Sequence, residues 1–286
     1  MNPYQALVAE RSRLHRESKA YPLGGVPPAP RPALPADADK ALIFSPHPDD
    51  ECIIGGLALR LLRESGVRVV NVAVTQGRIK DRQAARLEEL TEACRYLGFD
   101  LVATKPGGLE RVVRATRQNE PDLWNEGVSI IQSILLTHRP KVIFLPHELD
   151  WNSSHIGTHL LVADALAKAG PDFQCFAVET EFWGQMDAPN LLVELGETEL
   201  SDLMTATSFH VGEVRRNPYH VLLPSWMEDN VRRGAELVGG QGQGAPDFIF
   251  ATVYRLRRWE NGAWKDLPGK GRFLSRSENP ASLFTV

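Results

Sequence analysis

From residue 41 onward the chain alternates short, unbroken apolar runs with longer stretches in which apolar residues recur every three or four positions. Ala41-Leu-Ile-Phe44 and Val67 to Val74 read as buried strands; Ile53, Leu57, Leu61 and Leu62 line one side of a helix between them, and Gly66 marks the turn. Leu87, Leu90, Cys94 and Leu97 predict a helix over about 82–97, closed by Gly98 where a C-terminal cap is expected, with a short strand near Leu101. Residues 104–122, rich in Gly, Pro and charge, read as a loop. Val128, Ile131 and Ile134 then place a helix over 124–138, stopped by Pro140, before a third buried strand, Lys141 to Pro146, and a helix over 156–169. Repeated β-α units of this kind predict an α/β fold, Rossmann-like and three-layered, with a mainly parallel sheet between two layers of helices.

The flanks are less regular. Residues 3–20 carry a mixed pattern compatible with a helix, and Pro22 to Pro35 holds six prolines and two glycines, a composition that runs extended as a strap. Residues 1–36 are therefore expected to form an arm and Pro-rich linker, and 37–286 a single domain with its core at about 40–180 and a C-terminal elaboration over 181–286. In that elaboration 173–178 and 248–256 read as strands, and 199–214 and 226–237 as helices. Gly239-Gly-Gln-Gly-Gln-Gly244 does not follow a strand, and Pro246 blocks a helix after it, so it reads as a mobile loop or lid instead of a nucleotide loop.

Composition narrows the field modestly. With 43% hydrophobic and 24% charged residues and a formal net charge of -4, the chain gives no global reason to expect nucleic acid or an acidic membrane as partner. Small neutral or polar substrates are the default, with a homo-oligomer left open. Cys52, Cys94 and Cys175 lie apart in apolar segments with no CxxC spacing and predict buried thiols in a reducing compartment. No leader pattern or membrane-length apolar run is present, so the expected location is cytoplasmic.

Chemistry concentrates in Ser45-Pro-His-Pro-Asp-Asp-Glu51, an imidazole and three carboxylates at a strand-to-helix turn. His47 and Asp50 are spaced to reach one ion, and a hydrolytic zinc site uses three ligands of His and carboxylate type with a position open for water. The third ligand is sought after the strand ending at Pro146, in His147 to His159, where His155 and His159 are four apart. Ile156 stands where an HExxH site would have its glutamate, which leaves Asp49 as the better base. Taken singly, each residue has a plainer explanation: Asp49 or Asp50 as a helix N-cap, His47 as a buried histidine. The pairing of His-x-x-Asp with His-x-x-x-His, each after a buried strand, favours a metal site. A dinucleotide-binding dehydrogenase is disfavoured because no G-x-G-x-x-G follows the first strand.

The string Ser-Pro-His-Pro-Asp-Asp-Glu with Gly55-Gly56 behind it resembles the first signature of the PIG-L/LmbE-like family of metal-dependent N-deacetylases. Arg86-x-x-Glu89-x-x-x-Ala93-x-x-x-Leu97-Gly98 after Thr75-Gln-Gly77, and the histidine loop at 150–155, match further over roughly residues 40–180. The resemblance implies that His47, Asp50 and His155 are metal ligands, Asp49 the general base and Arg86 a substrate-binding residue. Many family members have His-Pro-Asp-His in the later loop; here it reads Asn152-Ser-Ser-His155. Asn152 can donate to an oxyanion but cannot shuttle a proton, so the candidates for the general acid are protonated Asp49, His159 and His147. Asp49 lies at a helix N-terminus and near a dication, and is expected to be ionised at neutral pH. The implied function is a zinc-dependent hydrolase, with ferrous iron also suited to the ligands, that removes acetyl from an N-acetylglucosamine-type amino sugar or glycoconjugate. The alternatives are an amidase acting on a larger N-acyl or thiol-sugar conjugate, and a non-catalytic sugar-binding protein. Trp151, Trp183 and Asn125 are candidate walls of a sugar pocket.

Overall fold

The computed structural model describes residues 2–267 and 269–285. In chain order the elements are α1 (Tyr4–Ser18), β1 (Lys40–Ser45), α2 (Asp50–Ile53), α3 (Gly56–Ser65), β2 (Arg68–Ala73), α4 (Gln83–Leu97), β3 (Asp100–Ala103), α5 (Arg114–Asn119), α6 (Pro121–His138) and β4 (Val142–Pro146). They continue with α7 (Ser153–Lys168), β5 (Cys175–Thr180), β6 (Leu191–Leu195), α8 (Glu197–Ser208), α9 (Val211–Val214), α10 (Leu223–Gly239), β7 (Phe250–Glu260), β8 (Ala263–Asp266) and β9 (Arg272–Leu274).

One nine-stranded sheet runs in the order β3-β2-β1-β4-β5-β7-β6-β9, with β8 paired to β7. The first five strands are mutually parallel, whereas β7 runs antiparallel to both β5 and β6. Alternation along β1 shows why helices cover both faces. Ala41 and Ile43 enter a core with Leu57 and Leu61 of α3, Leu90 of α4 and Leu203 of α8; Leu42 enters a second core with Ile131 of α6 and Leu161 of α7. A parallel sheet buried on both sides needs continuous apolar strands, and Ala41-Leu-Ile-Phe44 supplies one. The expected three-layer α/β/α fold is the observed one.

The structure departs from the sequence reading at places where tertiary contacts override periodicity. The predicted helix through Ile53 and Leu62 is two helices, interrupted at Ile54-Gly55. The Tyr254 hydroxyl, reaching in from β7, donates to the Ile54 carbonyl at 2.7 Å and accepts from the Leu57 amide at 3.2 Å, which satisfies backbone groups that the break leaves open. A Cβ on Gly56 would stand 2.7 Å from the Leu195 side chain, so the absence of a side chain here lets strand β6 approach. The 199–214 helix is likewise divided at Phe209-His210, and the loop read over 104–122 contains α5. The strands β6, β8 and β9 carry no period long enough to predict them.

Between α1 and β1 the chain has no helix or strand, and it is strapped down by Leu34 in the core, by Arg31 Nε donating to the Gly98 carbonyl at 2.7 Å, and by the Gly24 amide donating to Ser208 Oγ at 3.1 Å. The fully buried Arg60 of α3 ties the C-terminal third to the core, pairing with Glu64 and donating to the carbonyls of Glu194, Ser275 and Glu278. Among the described residues no helix is long and apolar enough to cross a membrane.

Tyr254→Phe removes one hydroxyl that serves two buried backbone groups. The expected cost is about 1–3 kcal/mol of folding stability, read as a lower urea midpoint at unchanged slope; an unchanged midpoint would show that the helix break does not depend on this bond.

Candidate metal centre

β1 and β4 are parallel neighbours, yet the chain leaves β1 toward β2 on one side and β4 toward β5 on the other. Their C-terminal ends therefore part and open a crevice, the position at which open α/β sheets bind ligands. The turn after β1 delivers His47 and Asp50 to this crevice, and the first turn of α7, after β4, delivers His155.

Their donor atoms form a nearly equilateral triangle. His47 Nδ1 lies 3.4 Å from Asp50 Oδ2 and 3.3 Å from His155 Nε2, and His155 Nε2 lies 3.4 Å from Asp50 Oδ2. A tetrahedral ion with bonds of about 2.0–2.1 Å would hold such atoms about 3.3–3.4 Å apart, so the three fit zinc without adjustment. Asp50 is further fixed by accepting the His47 amide at 2.8 Å. Burial works against charge on Asp50, but His155 and His47 outweigh it and hold its carboxyl below the usual range. His155 is opposed by burial in the same way, and Asp50 and Asp150 raise it above the ordinary imidazole value.

Behind His155 sits Asp150. Its Oδ1 lies 3.5 Å from His155 Nδ1 and accepts the Asn152 amide at 2.8 Å, and its Oδ2 accepts the amides of Trp183 and Gly184 at 3.2 and 3.3 Å. A carboxylate on the far nitrogen of a histidine fixes the tautomer that leaves Nε2 free to coordinate. The sequence reading placed Asp150 in the loop but gave it no role; a carboxylate within a few residues of a candidate ligand was the available signal.

Asp49 takes φ 114 and ψ −27, a backbone conformation unusual for any residue but glycine. Its side chain caps nothing: α2 is four residues long and the Asp49 carboxylate makes no capping hydrogen bond. Instead the turn is held by Glu51, whose Oε2 accepts the Asp49 amide at 3.0 Å, and Glu51 is anchored in turn by His210 Nε2 at 2.9 Å. Asp49 Oδ2 accepts a hydrogen bond from the Tyr219 hydroxyl. Burial, and then the charge of Asp50, push the Asp49 carboxyl up to about 7, higher than a helix-terminus argument predicts. Burial and the Asp49 charge raise Tyr219, so it remains a donor.

His47, Asp49, Asp50 and Tyr219 line a cavity of about 880 Å³ that also takes in Arg86, Asn152 and Trp183. Arg86 donates to the Pro48 carbonyl at 3.0 Å. Asn152 caps α7 by accepting the Ser154 amide on Oδ1 at 2.9 Å, which leaves its Nδ2 as a free donor. Other expected residues are elsewhere. Trp151, 80% exposed, and Asn125 do not line the cavity; His147 turns to the Gly184 carbonyl and His159 to the Pro146 carbonyl, so neither stands where a general acid would. The glycine-rich 239–244 segment forms no part of the wall. Tyr219 and Glu213, from the irregular C-terminal third, were not foreseen because no periodic pattern ties their stretch to the site.

Residues 42–166 match the family described as PIG-L: GlcNAc-PI de-N-acetylase. A 161-residue stretch is 29% identical to a 1D-myo-inositol 2-acetamido-2-deoxy-alpha-D-glucopyranoside deacetylase of Mycobacterium leprae, covering 47% of this chain and 52% of that protein. The chain thus spans about half the length of the curated relatives it matches. Among solved structures, the N,N'-diacetylchitobiose deacetylase of Pyrococcus horikoshii superposes with a TM-score of 0.51 at 19% identity, over 92% of this chain and 94% of the other. The 4-carboxy-2-hydroxymuconate hydratase of Pseudomonas putida superposes with a TM-score of 0.55 at 16% identity, over 76% and 95%. At these identities the structures speak for the fold alone, and a fold shared with a hydratase leaves the reaction to be argued from the site.

The Asp49 environment carries a pH signature in the metal-free protein. The unfolded carboxyl titrates near 3.8 and the folded one near 7, so the folded state keeps a proton that the unfolded chain has released, and stability falls as pH rises between those values. Asp49→Asn keeps the acceptor for Tyr219 without the charge. Urea melts of chelator-treated protein should show the variant gaining about 1–3 kcal/mol on wild type at pH 8 relative to pH 4; a difference independent of pH contradicts the assignment.

Proposed function

We propose that this chain, whose residues 42–166 match the PIG-L family, is a metal-dependent hydrolase removing the N-acetyl group from an N-acetylglucosamine-type amino sugar or glycoconjugate. The observation that carries this reading is the triangle of His47, Asp50 and His155 with a buried carboxylate, Asp49, beside it. The name of the Mycobacterium leprae protein describes deacetylation of an acetamido sugar, which supports the substrate class.

His47, Asp50 and His155 would hold the ion, with zinc the first choice and ferrous iron compatible with two histidines and a carboxylate. When bound, such an ion lowers the pKa of water and polarises an amide carbonyl. Asp49 takes the proton of the attacking water. Because Tyr219 occupies its Oδ2, Oδ1 is the oxygen left for that proton, and the same hydrogen bond fixes the direction in which the carboxylate points. The water oxygen bonds to the carbonyl carbon, and Nδ2 of Asn152 donates to the developing oxyanion, an effect of about 3–4 kcal/mol for one well-placed donor. Asp49 then passes its proton to the amine nitrogen as the C–N bond breaks, releasing acetate and the free amino sugar. A carboxyl raised by burial suits both halves of that transfer. Arg86, beside the Pro48 carbonyl, binds substrate from the wall next to Asp49.

The reading extends to a cytoplasmic enzyme, in keeping with three free, buried cysteines, and to residues 37–286 as one domain, in keeping with the sheet that runs unbroken into the C-terminal third.

Metal content measured beside turnover separates the roles. Asp49→Asn is expected to retain one metal ion per chain and to lose about 10²–10⁴-fold in rate, whereas His47→Ala and His155→Ala lose the metal itself. Normal turnover by Asp49→Asn refutes the base assignment. Asp150→Asn should weaken zinc affinity by about 10–100-fold in a competition titration while His155 remains in place; unaltered affinity would mean that Asp150 supports only the loop.

A further inference from the structure

Between β5 and β6 the chain forms an irregular loop, residues 181–190, that touches the metal centre on one side and α10 on the other. Its first residue, Glu181, is buried, and so is the Arg233 of α10 that faces it. Arg233 Nη1 donates to Glu181 Oε1 at 3.2 Å and Nη2 donates to Oε2, a forked pair. Glu181 Oε1 also accepts the Met186 amide at 2.7 Å, so one carboxylate closes the chain from 181 to 186 upon itself. Arg233 is held in turn by Asn230, whose Oδ1 accepts from Nη2 at 3.0 Å and whose Nδ2 donates to the Ala251 carbonyl of β7 at 3.0 Å.

The closed segment meets the metal centre along its inner face. The Phe182 ring stands edge-on to the His155 ring, with centroids 4.5 Å apart and planes at 77°. The next two amides, those of Trp183 and Gly184, supply both hydrogen bonds that Asp150 Oδ2 accepts among the described residues. The Gly184 carbonyl lies 2.8 Å from His147 Nε2, and a Cβ on Gly184 would stand 2.8 Å from the Trp151 amide nitrogen, so the two stretches of backbone are in direct contact. A buried ion pair gains little stability over an apolar pair of the same size, because both charges lose water. What this one supplies is direction to the loop it closes.

Resting on the reading of His47, Asp50 and His155 as metal ligands, we propose that Glu181 and Arg233 are positioning residues for that centre, acting through the 183–184 amides on Asp150 and through Phe182 on His155. Without the forked pair these amides no longer hold Asp150 Oδ2, Asp150 Oδ1 leaves the far nitrogen of His155, and the imidazole is free to turn. Helix α10, which contributes no candidate ligand, thereby sets the metal affinity.

The test is a zinc competition titration of the full chain, with the visible spectrum of the cobalt-substituted protein as a second readout. Glu181→Gln keeps an acceptor for the Met186 amide and removes the charge that Arg233 grips. Glu181→Gln/Arg233→Met leaves neither charge buried alone, and it carries the comparison where the single variant does not fold. Each is expected to bind zinc about ten-fold more weakly than wild type and to shift the cobalt bands, with Arg233→Lys closer to wild type. Val238→Ala, which loosens α10 where it meets Gly271, is the control for stability alone: the urea midpoint falls and zinc affinity stays. In a cycle with Asp150→Asn the losses of affinity are expected to be less than additive, since both changes act on one contact. Zinc bound as tightly by both Glu181 variants as by wild type, an equal loss in Val238→Ala, or losses that add in full with Asp150→Asn, overturns the proposal and leaves the metal centre standing. A wild-type chain that binds no zinc overturns the metal-centre reading itself, and this inference with it.

Discussion

The pairing of β1 with β4, Ala41 beside Val142 and Ile43 beside Phe144, is the constraint on which the site depends. These strands are more than a hundred residues apart in sequence, and their parallel register brings the turn after Ser45 and the helix start after Pro146 to the same edge of the sheet. Because the chain departs from them in opposite directions, neither connection crosses the gap between their ends, and donor atoms from both turns approach to 3.3–3.4 Å. A slip of this register would separate His155 from His47 and Asp50 without disturbing either turn.

Around this pairing the molecule is arranged to hold polar groups in positions that water would otherwise contest. His155, Asp50 and Asp49 each have a partner that fixes their direction: Asp150 behind His155, the His47 amide on Asp50, Glu51 and Tyr219 on Asp49. The partners come from different parts of the chain, Asp150 from the loop before α7, Glu51 from α2 and Tyr219 from beyond α9. Buried polar groups that are each satisfied this way rigidify a site, because moving one leaves another unpaired. His210 extends the arrangement inward, where burial disfavours its charge but Glu51 outweighs that and raises it above the usual imidazole range.

What was legible in the sequence was whatever repeats over short distances. The strands through Phe44, Val72 and Phe144, the helix of Leu90 and Leu97, and the crowding of ligand types after Ser45 are local patterns, and they gave the architecture and three converging donors. What was not legible depends on contacts between distant segments. The interruption at Ile54-Gly55 exists because Tyr254 and Leu195 arrive from the C-terminal third, and neither is visible from the apolar period of that helix. Tyr219 lies in a stretch of short turns with no apolar period, and Glu213, at the end of the predicted 199–214 helix, reaches the site only because that helix is broken at Phe209-His210. Trp151 was an attractive wall residue by type alone, but the loop turns it into solvent while its neighbour Asp150 is buried.

The left-handed backbone at Asp49 has a consequence for how this protein can change. A non-glycine residue at φ 114 stores strain of about 1–3 kcal/mol, and glycine would adopt the same conformation freely. The position is therefore one where a search for stability and a search for activity point to different residues: selection on thermal tolerance alone would favour the substitution that deletes the carboxylate. In any variant library sorted only by folding, the best survivors at this position would be well-folded proteins with an intact cluster of His47, Asp50 and His155 and no carboxylate beside it.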